Sequence, residues 1–116
     1  MSDIKKLTKK INKFAEERDW KQFHNHKDMA LSLVLEAAEV LEHFQWKAST
    51  KDINKHAKHK KTDIADELAD VAIYLFELAD NLDINIAEAV ENKLKKNSAK
   101  YPVNKAKGLA KKYTEL

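Results

Sequence analysis

Apolar residues recur along the N-terminal stretch at intervals of three and four. Ile4, Leu7, Ile11 and Phe14 fall on one side of a helix, so the spacing predicts an amphipathic helix over about 3–19, capped by Ser2 or Asp3. The segment 20–27, WKQFHNHK, is aromatic and polar without a period and reads as a connector. From about Asp28 to Lys47 the pattern changes. MALSLVLEAAEVLEHF is apolar almost all round, as in helices covered on several sides. The stretch 48–61, ASTKDINKHAKHKK, is polar and Lys-rich and is expected to be a surface loop with at most a short helix. Thr62 is the expected cap of a third helix, with Asp63, Asp66 and Glu67 in its first turns, where the helix dipole favours acids. Its middle, LADVAIYLFELA, is again apolar, and it is expected to run to about Asn81. Asn85 and Glu88 form a capping-box-like start for a fourth helix, reaching about Ala99 and burying Ile86, Ala89 or Val90, and Leu94. Tyr101-Pro102 ends it, because proline disfavours helical geometry in the residue before it. The Lys-rich tail 103–116 is expected to be weakly structured.

Composition narrows the chemistry. One glycine and one proline in 116 residues lie far below the usual shares of about 7% and about 5%. Tight β-corners need those residues, so the chain reads as all-α, a single four-helix bundle-like domain over 1–116. With Gly108 alone, no glycine-rich phosphate loop can be built. The absence of cysteine removes disulfides, zinc ribbons and thiol nucleophiles. The 22 basic and 19 acidic side chains are interspersed, and Arg18 is the sole arginine. Lysines cannot reproduce the guanidinium fork that reads guanine edges and phosphates, so they read as solvated helix faces and no nucleic-acid partner is expected. The start, Met-Ser-Asp-Ile-Lys-Lys, has no apolar h-region and no stretch reaches membrane-spanning length; a cytoplasmic protein with no membrane partner is the expectation.

The second and third helices share an anomaly. Each carries acids three apart inside its most apolar stretch: Glu36 and Glu39, then Glu67 and Asp70. Positions three apart lie about 60° apart around the axis and one turn along, so each pair projects from one face. Ser32, His43 and Trp46 fall on the side of Glu36; Asp63, Tyr74 and Glu77 fall on the side of Glu67. An isolated E-x-x-E is ordinarily a solvated face. Two such pairs, each in an apolar helix and each followed by an aromatic, need compensation, because an unpaired carboxylate in an apolar bundle costs several kcal/mol or takes up a proton. Hard divalent cations, which prefer oxygen ligands, would supply it. Di-iron bundles use paired E-x-x-H motifs, but His43 is four after Glu39 and the third helix has no His. Magnesium is therefore favoured, with manganese as a substitute.

At these residues the chain resembles a known family. EAAE (36–39) followed by ELAD (67–70) is similar to the E-x-x-E … E-x-x-D signature of the MazG-like all-α nucleoside triphosphate pyrophosphohydrolases. AEERDWKQFH (15–24), LEHFQWK (41–47), ELADVAIYLFELA (67–79), KYPVNKAKG (100–108) and the closing KYTEL resemble its dCTP pyrophosphatase branch along nearly the whole chain. The resemblance implies hydrolysis of a nucleoside triphosphate, dCTP or a modified dCTP, to the monophosphate and pyrophosphate, as house-cleaning of the nucleotide pool. It assigns Glu36, Glu39, Glu67 and Asp70 as magnesium ligands, and Trp20, Trp46 and Tyr74 as aromatics enclosing base and sugar. Lys93 and Asn97 become nucleotide contacts, and His24 a residue lining the pocket. Glu36 or Glu39 would be the base that takes the water's proton. Three positions depart from the branch: His26 and Asp28 replace its usual Pro and Asn, and Ile11 stands where animal members carry a His. The resemblance also implies a homotetramer built from two dimers, in keeping with the apolar surface of the second and third helices.

A reading from another class fits the same composition: a non-enzymatic helical module that binds a partner through its apolar helices, its acids serving as interhelical salt-bridge partners. A magnesium-dependent gain in thermal stability separates the two, since only a cation cluster gains by mass action.

Overall fold

The computed structural model describes residues 2–116, and most of its helices start where the sequence places a small polar side chain. The Ser2 hydroxyl accepts from the Lys5 N–H at 3.2 Å to open α1 (Asp3–Glu17). Asn25 accepts from Asp28 N–H at 2.9 Å to open α2 (His26–Glu42). Ser49 accepts from Asp52 N–H at 3.1 Å to open α3 (Thr50–His59). Asn85 accepts from Glu88 N–H at 3.1 Å to open α5 (Ile86–Lys100), as the sequence predicts. Such caps satisfy amide groups that have no partner within the helix. Only α4 (Lys61–Asn81) differs among the long helices: it follows α3 through Lys60 alone, and Thr62, its expected cap, lies inside the helix, which has no side-chain cap. A last short helix, α6 (Val103–Ala106), follows Pro102. Four long helices are present as expected, and no strand occurs among the described residues. Among the described residues no helix is long and apolar enough to cross a membrane.

Three local expectations are corrected. The second helix begins at His26, because Asn25 takes the cap, and it stops at Glu42 rather than Lys47. Beyond it the chain turns, with Gln45 N–H donating to Leu41 O at 3.1 Å and Lys47 N–H to Phe44 O at 3.1 Å. Trp46 therefore lies off the helical face of Glu36 and Glu39, in the left-handed region at φ 69°. The stretch 48–61 is not a loop: Ser49 and Asp52 cap a ten-residue helix whose Ile53 and Ala57, four apart, are half-buried. The tail also takes up structure. Tyr113 opens a 3-10 turn, its ring meets Tyr101 edge-on at 6.2 Å, and the Lys100 ammonium lies 4.7 Å over it.

The chain resolves into two compact units, one ending at Asp83 and the other Ile84–Leu116. In the first, α2 packs chiefly along α4, with α1 and α3 also against α4. Few side chains there are fully enclosed: Ala15, Met29 and Ala79 among the apolar ones, with Thr8 and Glu77. Much apolar surface stays outside, including Leu31, Val34, Leu35 and Leu41 on α2 and Leu68 on α4. A polar clamp ties α1, the connector and the end of α4 together. Asn12 Nδ2 donates to Asp80 Oδ2 at 2.9 Å, and Lys21 Nζ donates to Asn12 Oδ1 at 3.0 Å and Asn81 Oδ1 at 3.2 Å. Between α1 and α4 runs an apolar groove of about 460 Å³, lined by Leu7, Ile11, Phe14, Ala69, Ile73 and Phe76 among others.

Candidate functional site

The face of α4 opposite that groove carries the chemistry. Helical spacing sets Glu67, Asp70, Tyr74 and Glu77 along one stripe, and α2 brings Glu36 and Glu39 against it. Glu36 and Glu67 are half-buried, Glu39 and Asp70 exposed. The Glu36 carboxyl is pushed above its ordinary 4.5, first by burial, then by Glu39 as a charge and hydrogen-bond partner, then by Asp70 and Glu67. Acids from both helices thus surround one carboxyl group. Glu36 Oε2 and Glu67 Oε2 are buried with no hydrogen-bond partner. The donor set is all oxygen and all negative, with lone pairs left over, which fits a hard divalent cation. No three acidic or imidazole groups among the described residues already form a ready ligand cage. Like charges without a counter-ion have no reason to converge on a common point.

Histidines close the two ends of this stripe. His43, just past α2, sets Nε2 2.6 Å from Glu67 Oε2 and Nδ1 3.2 Å from His56 Nε2 on α3. His24 in the connector sets Nδ1 2.6 Å from Glu77 Oε2. Glu77 is only 2% exposed, the most deeply enclosed acid of the chain among the described residues. Both imidazole–carboxylate approaches are short, yet neither carboxylate oxygen has a hydrogen-bond partner. Asn81 Nδ2 reaches His24 O at 3.4 Å, and with Lys21 this fixes the connector to the end of α4.

The aromatics expected around the nucleotide take different positions. Tyr74 is half-buried between Asp70 and Glu77 on the acidic stripe. Trp20 is 45% exposed and meets Phe14 edge-on at 5.7 Å, while the Arg18 guanidinium lies 3.7 Å over the Phe14 ring. Trp46 is 90% exposed in its turn. A large aromatic at positive φ is an uncommon, strained conformation that concentrates at functional sites. Lys93, exposed, and Asn97, half-buried, lie one turn apart on α5 in the second unit. Ile11 lines the apolar groove. Sequence reasoning missed the pairing of His43 with His56. The available signal was the Ser49–Asp52 cap, which turns 50–59 into a helix and brings His56 round to α2.

Comparisons with known proteins agree with this arrangement. Residues 31–116 match the MazG-like family. The chain is 39% identical over 117 residues to dCTP pyrophosphatase 1 of Mus musculus, covering 100% of this chain and 67% of that protein. With dCTP pyrophosphatase 1 of Homo sapiens the identity is 37%, with the same coverage. The crystal structure of a pyrophosphatase from Archaeoglobus fulgidus superposes with a TM-score of 0.84 at 37% identity, over 88% of this chain and 94% of that one. The shared span takes in the acids of both helices and the turn between them, and by it the chain belongs to the MazG-like family.

Proposed function

We propose that this protein is a magnesium-dependent pyrophosphohydrolase acting on dCTP or a modified dCTP, releasing the monophosphate and pyrophosphate and so clearing the nucleotide pool. Its family and the pyrophosphatases it resembles along its whole length make it a nucleoside triphosphate pyrophosphatase. The carrying observation is that acids of both helices act on the Glu36 carboxyl, with Glu36 Oε2 and Glu67 Oε2 buried and without a hydrogen-bond partner.

On this reading Glu36, Glu39, Glu67 and Asp70 hold Mg²⁺, with Mn²⁺ as a substitute. When bound, the cation neutralises charge on phosphate oxygens and lowers the pKa of a coordinated water. Water adds to the α- or β-phosphorus, the P–O bond bridging the two breaks, and the monophosphate and pyrophosphate separate. Glu36 or Glu39 takes the water's proton; Glu36, whose proton affinity its neighbours already raise, is the better placed. Tyr74, Trp20 and Trp46 offer π faces to base and sugar, each worth about 1–3 kcal/mol and largely blind to base identity. His24 adds a polar edge at the nucleoside end; the family resemblance assigns nucleotide contact to Lys93 and Asn97, on α5 of the second unit. The apolar residues left outside on α2 and α4 support assembly into a homotetramer, a dimer of dimers.

Product analysis on a panel of NTPs and dNTPs with magnesium tests the reading, with Glu67→Gln alongside. Monophosphate plus pyrophosphate, fastest from dCTP and its 5-modified forms and lost in the variant, is the expected result. A folded, magnesium-loaded protein that turns over no nucleotide would refute it.

A further inference from the structure

His43 and His56 have no part in the reaction as derived so far. Both rings are half-buried, their centroids 5.4 Å apart, and Phe44 packs edge-on against His56 at 6.2 Å. The chemistry of the groups fixes which way the hydrogens run. An ionised carboxylate can only accept, so the His43 nitrogen facing Glu67, Nε2, carries the hydrogen. A neutral His43 then has its lone pair at Nδ1, and the atom 3.2 Å away, His56 Nε2, must be the donor. His56 in its neutral form has a hydrogen to give at that atom. The geometry therefore lines up His56, His43 and Glu67, with the donors directed towards Glu67.

We propose that His43 is a positioning residue for Glu67: with its tautomer set by His56, it orients the Glu67 carboxylate and thereby sets the protein's affinity for a divalent cation. This rests on the reading of Glu67 as a cation ligand. Hydrogen-bond partners of metal ligands typically contribute about 10–100-fold in metal affinity.

The test is a Mn²⁺ titration of the full-length protein without nucleotide, following free Mn²⁺ by electron paramagnetic resonance. His43→Leu is expected to weaken binding by about 10–100-fold. His43→Gln, whose amide can place a donor near the position of Nε2, should recover most of that loss. His56→Phe, which keeps the packing on Phe44 and removes the donor, should fall between wild type and His43→Leu. At saturating Mn²⁺, kcat of His43→Leu should return towards wild type, a recovery that lost packing would not give. Wild-type Mn²⁺ affinity in His43→Leu, beside lost binding in Glu67→Gln, would overturn the inference and leave the cation reading intact. Unchanged binding in Glu67→Gln would remove both. Equal losses in the Leu and Gln variants would assign the effect to packing and also overturn the proposal.

Discussion

The buried pair of Glu77 and His24 offers the most quantitative check on how this fold is held. The Glu77 side chain is 3% exposed and that of His24 19%, with 2.6 Å between Oε2 and Nδ1. His24→Phe keeps a ring of similar size and strands the carboxylate, which for a buried pair costs about 3–5 kcal/mol. No hydrogen bond joins the two groups, which argues for the lower end, about 3 kcal/mol. Glu77→Leu removes the buried charge and leaves one imidazole nitrogen without a partner, about 1–3 kcal/mol, and the partly exposed ring can find water to reduce it. The double variant replaces a polar pair by an apolar one and should lie close to wild type or above it. For 116 residues, an unfolding entropy of about 2.1 cal/mol/K per residue converts each kcal/mol to about 4 °C. Differential scanning calorimetry at one fixed protein concentration should then show a fall of about 12 °C for His24→Phe, about 4–8 °C for Glu77→Leu, and wild-type melting for the double variant. Losses that add in the double variant would refute the pairing. So would a His24→Phe protein melting within about 4 °C of wild type.

Other expectations follow from single features. Trp46→Gly should leave stability within about 1 kcal/mol, since relief of the left-handed strain at φ 69° offsets glycine's entropy. The KM for dCTP should nonetheless rise about 5–150-fold if a stacking face is lost; an unchanged KM would remove Trp46 from the pocket. Because its neighbours raise the Glu36 pKa above 4.5, the ionised group burdens the cation-free fold at neutral pH and releases that burden as pH falls through the raised value. Chemical denaturation should therefore find Glu36→Gln more stable than wild type at pH 7 without divalent cations, with the gap closing towards pH 4.5. A gap independent of pH would contradict the shift. Val34 on α2 is 64% exposed; Val34→Glu should lower the mass found by light scattering to a smaller species, and an unchanged mass would place the interface elsewhere.

The sequence carried the helices well where caps and periodicity agreed, as at Ser2, Asn85 and the stripe of Ile4, Leu7, Ile11 and Phe14. It failed at 48–61 because lysine-rich composition outweighed a capping pair, Ser49 and Asp52, that decides the local geometry. The end of α2 was also hidden: the apolar run extends past Glu42, and only the reversal that puts Trp46 at positive φ shows where the helix stops. The acids were legible as a misplaced polar stripe within each helix, since spacing alone sets which positions share a face. That α2 and α4 turn those stripes towards each other is tertiary information. The His24–Glu77 and His43–His56 contacts belong to the same class: residues separated by 53 and 13 positions meet through packing that no local pattern encodes.

The uncapped start of α4 has a dynamic consequence. Its first amide groups lack the side-chain acceptor that α1, α2, α3 and α5 each receive from Ser or Asn, and Lys60 links it to α3 with no loop between. Unsatisfied first-turn amides open first and exchange their hydrogens with solvent fastest. Glu67 lies less than two turns further along, so any ligand that engages it also restrains that fraying end. Hydrogen exchange at residues 61–63 should therefore slow when the acidic face is occupied, making the uncapped terminus of α4 a reporter on the state of its most highly charged face.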